Sequence, residues 1–307
     1  MADQDSMLGQ EFKRSFAATP QQRTSLFERT LAVEREEFST KLYNKAKTGT
    51  DEVYASPARN QETQWKDFLV SNRKYSTARF VLPIRMDRKD VSEAIANPNG
   101  PAMAVINAAF ARNKDRVINA AALASIAIGA SDAVASMVTA ANDGVIAVDA
   151  SSGLTYDIMR SLWKNFINNS VEIDPMFGNG MTFFGTGKEN YQLMGEDKFI
   201  NNDYTMYRPV DAGRKMEQAG GMGIVTFPGN ELGSSIDVAS PILTEGTTLR
   251  SCLAMANGAI SFCEKIASVR FYDDLEAFDD SSGIKVVCYI GAARNDGKLI
   301  QEAQTTI

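Results

Sequence analysis

Apolar positions recur at helical spacing in three stretches of this chain. Phe27, Leu31, Phe38 and Leu42 follow one another at steps of 4, 7 and 4, with Arg29, Glu36, Glu37 and Lys41 off that stripe. Ahead of them, Thr19-Pro20-Gln21-Gln22 offers a cap, a first-turn proline and the glutamine of a capping box. The pattern predicts an amphipathic helix ending near Thr48-Gly49, preceded by a polar arm over residues 1–18. After the break at Asn97-Pro98-Asn99-Gly100-Pro101, Met103, Ile106, Phe110, Val117 and Ala121 step by 3, 4, 7 and 4. Residues 101–124 contain no internal glycine or proline and are rich in alanine, which predicts a helix of about 36 Å at 1.5 Å per residue. Leu154, Ile158, Leu162 and Phe166, at strict i, i+4 steps with Trp163 beside them, predict a third.

Elsewhere the pattern is that of strands. Residues 125–153 are small and apolar and read as a turn-rich insertion with short strands, ending at Ser151-Ser152-Gly153. Met181–Thr186 is strand-like and Lys188–Met194 suits a short helix. From Gly221 onward, glycine-containing turns alternate with β-branched or aromatic runs at Ile224–Phe227, Leu249–Ala256, Ala267–Tyr272 and Lys285–Ile290. Residues 50–79 fit neither period. They are polar, contain Ser56-Pro57, and close through Tyr75–Leu82 into a strand ended by Pro83. Some thirty residues with so little core signal are expected to gain order from neighbours, as an extended hairpin reaching onto another subunit would. Trp65 is then a contact anchor or, alternatively, a tryptophan of its own subunit's core.

Composition narrows the chemistry. The 307 residues include no histidine, which removes the Ser-His-Asp and Cys-His mechanisms and His-ligated zinc. Three cysteines with no Cys-x-x-Cys pair argue against a disulfide framework or a Cys-based metal site, and for a reduced, cytoplasmic setting. No apolar run of 18 residues exists to cross a membrane as a helix, and the acidic start lacks a secretory signal. A net charge of −6 and a pI near 5.0 disfavour tight nucleic-acid binding.

Two glycine patterns invite a nucleotide reading and fail. Gly185-Thr186-Gly187-Lys188 has Thr182 where a phosphate loop needs glycine and Glu189 where it needs Ser or Thr. Gly221-Met222-Gly223 has Thr226 in place of the third glycine of a dinucleotide fingerprint. The acidic run Asp273–Asp280 would need a carboxylate at Ile290 to close a calcium loop, and is read as a solvated turn. No catalytic, cofactor or metal residues are assigned.

In order along the chain, several segments resemble the major capsid proteins of tailed phages, in particular a podophage-like branch. They are the strand closing Arg79-Phe80-Val81-Leu82-Pro83, the charged step Asp87-Arg88-Lys89-Asp90, and the alanine-rich helix with Arg112 and Asp115 in an Arg-x-x-Asp step. Further on come Gly187-Lys188-Glu189-Asn190-Tyr191-Gln192-Leu193-Met194 and the closing strands Arg250–Ile260 and Lys285–Arg294. The resemblance covers most of residues 20–300. It implies an α+β fold of the tailed-phage/herpesvirus capsid type, with an N-terminal arm, an extended loop, a long spine helix, a peripheral β-sheet and a central axial α+β domain. The corresponding boundaries are 1–49 for the arm and its helix and 50–85 for the loop. The peripheral domain takes 86–124 and 246–307, and the axial domain 125–245.

The same resemblance implies a virion protein without enzymatic activity or cofactor. It would be assembled in the host cytoplasm as hexamers and pentamers of an icosahedral shell around double-stranded DNA, touched only loosely. Portal, decoration and separate scaffolding proteins would be its other partners, and no membrane is involved. Candidate subunit contacts are Trp65, Lys66, Asp67, Arg73, Lys74 and Arg79 in the loop, and Arg112, Asp115 and Arg116 on the spine helix. The helix charges equally suit a solvated face. An encapsulin-like cellular nanocompartment shell, or an α+β metabolic enzyme, are the alternatives.

Overall fold

The computed structural model describes residues 24–30, 32–36, 43–48, 70–75, 77–87, 99–128, 136–169, 171, 180–196, 218–227, 244–245, 249–272 and 281–306. They form three sheets around one long helix. That helix, α1 (Asn99–Leu123), occupies the segment expected of it. Its buried positions Ala108, Ala111, Asp115, Ile118 and Ala122 lie on one face, turned about a third of a turn from the stripe read in the sequence, so that Phe110 and Val117 are only half-buried. Small alanines let the helix lie close on a sheet ordered β1-β13-β14-β4. Its strands are β1 (Val33–Arg35), β4 (Ala78–Asp87), β13 (Ile260–Tyr272) and β14 (Ser281–Arg294). Ile106 packs there with Ile284 and Val286.

Two sequence expectations are corrected in this region. The N-terminal amphipathic helix is absent from its described residues: Val33–Arg35 runs as a strand parallel to Ile260–Phe262, and Tyr43–Thr48 is strand β2. Phe27 is buried because its ring meets Phe184 at 4.4 Å and Phe227 at 5.0 Å, not because a helix face repeats there. Pro83 does not end its strand either, since β4 continues to Asp87. β4 is the edge of the sheet and exposes Pro83, and edge strands are where a proline is tolerated within a sheet.

A second sheet, β2-β3-β5-β6, contains β3 (Val70–Tyr75), β5 (Ile126–Ile128) and β6 (Ser136–Val138). β2 and β3 pair antiparallel from Tyr43↔Tyr75 to Thr48↔Val70, the ladder of a hairpin whose far end lies outside the described residues. The third sheet has seven strands. β7 (Ile146–Ala150), β15 (Ile300–Thr306), β12 (Leu249–Ala256), β8 (Met181–Thr186), β10 (Met222–Phe227) and β9 (Gln218–Ala219) lie in that order, and β11 (Thr244–Glu245) pairs with β12. This pairing runs across the boundary expected at residues 245 and 246, because β12 and β15 complete a sheet begun by β7 and β8.

Helix α2 (Tyr156–Asn168) lays Met159, Leu162 and Phe166 on that sheet, and Thr155 caps it by accepting from Ile158 N at 3.4 Å. Helix α3 (Gly187–Met194) follows β8 directly. The short strands expected within 125–153 are present as β5, β6 and β7. A shared core joins the sheets, with Phe184, Leu253, Met255 and Ile300 from the third meeting Phe262 and Ile290 from the first and Ile118 from α1.

Candidate functional site

The base of the β2–β3 hairpin meets the end of α1 at a buried cluster of charge. Asn142-Asp143-Gly144 closes a single 3-10 turn (Ala141–Asp143), with Gly144 at φ 101°, a backbone conformation that glycine adopts without a Cβ clash. The turn is pressed against Gly297, where a Cβ would stand 2.5 Å from the Asp143 carbonyl oxygen. Asp143 is thereby aimed at two arginines. Arg73 of β3 donates from Nη1 to Oδ2 at 2.7 Å and from Nη2 to Oδ1 at 2.5 Å. Arg294, at the end of β14, donates from Nε to Oδ2 at 2.7 Å. Its Nη1 reaches the carbonyls of Ala122 at 2.6 Å and Ala124 at 3.1 Å, which caps the C-terminal end of α1 with positive charge. Arg73 Nη1 also donates to the Arg294 carbonyl at 3.2 Å.

Both guanidiniums are almost wholly buried, at 2% and 0% exposure. Burial pushes the Asp143 carboxyl up, but hydrogen bonds and charge from Arg73 and Arg294 outweigh it and hold the group below the ordinary carboxylate range. One carboxylate therefore joins hairpin, sheet and helix end.

Asp115 makes a second junction, about two-thirds of the way along α1. It is fully buried and accepts from Ser25 Oγ at 2.5 Å, Leu26 N at 3.1 Å and Phe27 N at 3.4 Å, tying the segment before β1 to the helix. Lys114 beside it pairs with Glu264 of β13 at 2.5 Å.

A third cluster fixes α3. Glu189 accepts from Thr186 N at 2.8 Å and from the Thr186 hydroxyl, a capping box at the start of the helix. Thr305 donates to its other oxygen at 3.0 Å, and Arg250 stands 3.5 Å away. The glutamate that argued against a phosphate loop is thus a structural cap, buried in the third sheet. Its pKa is pushed up by burial and pulled down further by Thr186 and Arg250, for a net lowering.

The residues singled out as subunit contacts separate on this frame. Trp65, Lys66 and Asp67 lie outside the described residues. Arg73 is bound to Asp143 and Asp115 to the Ser25–Phe27 segment inside their own subunit, and Lys74 is buried too. Arg112 and Arg116 are half-buried on α1, and Arg79 is exposed on the edge strand β4. The sequence reading assigned no joining role to Asp143, Arg294, Glu189 or Arg250. The available signals were an acid in the turn Asn142-Asp143-Gly144 and an arginine ending the apolar run of β14. Cys252, Cys263 and Cys288 are free and buried. Among the described residues no three Cys, Asp or Glu side chains converge where a metal ion could sit, and no described helix is long and apolar enough to cross a membrane.

A long braced helix, a hairpin fixed at its base and buried polar clusters that only join elements describe a structural protein. The sequence profile of the phage capsid proteins matches residues 5–300, and the chain belongs to that family. No curated protein matches its sequence. Among solved structures it is similar to the capsid of cyanophage P-SCSP1u, with 11% identity and a TM-score of 0.64 over 98% of this chain and 94% of that one. The head of Helicobacter pylori bacteriophage KHP40 gives 9%, 0.65, 100% and 96% in the same order. The capsid of Ralstonia phage GP4 gives 8%, 0.67, 97% and 94%. At these identities the likeness concerns the fold, which is the tailed-phage capsid fold. Family and fold together make the chain a major capsid protein of the tailed-phage type. It is a virion component that builds the icosahedral shell and is not an enzyme.

Proposed function

We propose that one chain type forms both hexamers and pentamers of a shell around double-stranded DNA, with the β2–β3 hairpin extended over a neighbouring subunit. The observation that carries this is the hairpin ladder itself. Tyr43 to Thr48 pair with Val70 to Tyr75, so residues 49–69 connect two paired strands, the second of which carries Arg73. In this reading the peripheral domain is α1 with the sheet β1-β13-β14-β4, and the axial domain is the seven-stranded sheet with α2 and α3. Arg79, Arg112 and Arg116 remain the charged candidates for contacts between subunits, with Trp65, Lys66 and Asp67 on the hairpin. The net charge of −6 suits a wall that encloses DNA and touches it loosely. Scaffolding, portal and decoration proteins are separate chains, and the phage is of the podophage-like branch that the sequence resembles.

Electron microscopy of particles formed by the full chain, with and without co-expressed candidate scaffolding protein, tests the reading. Closed shells containing DNA in the virion, and a short tail on that virion, are expected. Shells filled with protein cargo would instead assign the chain to a nanocompartment.

A further inference from the structure

The sheet β1-β13-β14-β4 has two unlike faces. Side chains alternate across a strand and residues directly opposite share a face, so the strand register sorts them. Leu82 and Ile84 of β4 lie level with Val286 and Ile284 of β14, and Ile106 of α1 packs on that side. The other side has Arg79 level with Lys265, Lys285 level with Arg270, and Arg85 one row further on. Arg79, Arg85, Lys265 and Arg270 are exposed and Lys285 is half-buried. From the Arg79 row to the Arg85 row the described face holds no carboxylate, and Asp87 follows one row beyond. Lys285 and Arg270 are direct cross-strand neighbours of like charge, a pairing that destabilises a sheet unless opposite charge lies over it. In a chain of net charge −6 this face is a concentrated exception.

The sequence holds its opposite charge in one place. Asp273, Asp274, Glu276, Asp279 and Asp280 put five carboxylates into eight residues, its densest acidic run. The run lies outside the described residues and connects Tyr272, the end of β13, to Ser281, the start of β14. Within one subunit it begins at the Arg85 end of the basic face, whereas Arg79 stands six residues, or about 20 Å, back along β4. We infer that the acidic connection of one subunit docks on the basic sheet face of a neighbouring copy. Run and face are different patches of one chain, so the contact is heterologous, and each subunit gives one connection and receives another. The inference rests on assembly of the shell from copies of this chain, gives Arg79 its partner, and leaves the role of residues 49–69 to a separate test.

Charge reversal of the full chain tests it. One variant reverses the face, Arg79→Glu with Arg270→Glu, and another reverses the run, Asp274→Lys with Asp279→Lys. Each should keep the circular dichroism of the wild type and lose closed particles under the conditions that give wild-type shells. All four substitutions in one chain should restore the particles. Mixed in solution, the two variants should associate with each other and not with themselves, as native mass spectrometry would read. Shells from either variant alone overturn the inference. Restoration by the fourfold variant without association of the mixed pair places the contact inside one subunit, and overturns it as well. A face variant that loses duplex DNA binding while the run variant assembles normally gives the face to phosphate instead. Both hairpin strands are untouched in these variants, so failure of the hairpin reading shows only when residues 50–69 are removed.

Discussion

Asp143 and Glu189 both sit below their ordinary pKa in the folded chain because their cationic and hydroxyl partners outweigh burial. A depressed folded pKa contributes stability that is fully present above the unfolded value, about 3.9 for Asp and 4.3 for Glu, and is lost as pH falls through the folded value. Unfolding midpoints should therefore hold steady from neutral pH down to about 5 and fall steeply below about 4. Asp143→Asn should cost about 3–5 kcal/mol at pH 7, since it leaves two buried guanidiniums without a counter-charge. Its stability should depend less on pH in the acid range, which denaturant titrations at pH 7 and pH 3.5 would measure. The thiols move the other way. Burial, then Glu264, pushes Cys288 up to about 11, and burial also raises Cys252 and Cys263. A maleimide at pH 7 should label none of the three until denaturant is added, and rapid labelling of the native chain would show that these sites open.

At the scale of elements, Ile118 is the firmest test of how α1 is seated, since it is fully buried among Phe262 and Ile290. Ile118→Ala should lower stability by about 2–5 kcal/mol. Phe110, only half-buried, is a poorer probe than the sequence stripe suggested. A melting curve unchanged by Ile118→Ala would mean that the buried face has been misassigned. Helices α1 and α2 and strands β8 and β12 were legible because each carries its own period and its own boundaries. The segment around Phe27 was not, because its burial is decided by Phe184 and Phe227, more than 150 residues away, and its strand by pairing with Ile260. The polar clusters were hidden for the same reason. Arg73, Asp143 and Arg294 become neighbours only after three sheets and a helix are in place, and no local spacing records that.

For the whole molecule, the described strand β3 changes where the hairpin can be cut. Residues 70–75 pair with β2 and β5 and carry Arg73, so they belong to the body of the subunit. Removing 50–69 should leave near-normal circular dichroism and abolish closed particles in negative stain. Intact shells from this variant would defeat the role given to the hairpin, and an unfolded variant would place 50–69 in the subunit's own core. Duplex DNA should bind the unassembled chain weakly and release it at moderate salt, a matter for fluorescence anisotropy across a salt series. Tight binding at physiological ionic strength would contradict the reading of a wall that merely encloses.

Strand β15 lies inside the seven-stranded sheet, between β7 and β12, although it follows every other described strand in the chain. A chain made at about 5–20 residues per second gains this strand only after all the other described strands have emerged. Until then β12 lacks the partner that satisfies it from Leu249 to Met255, and Ile300 and Ala303 are missing from the two hydrophobic clusters. A polypeptide prematurely terminated before residue 300 cannot close the sheet either. Chains truncated before Ile300 are therefore expected to be missing from assembled particles, which a mixed expression of full-length and truncated chains would measure.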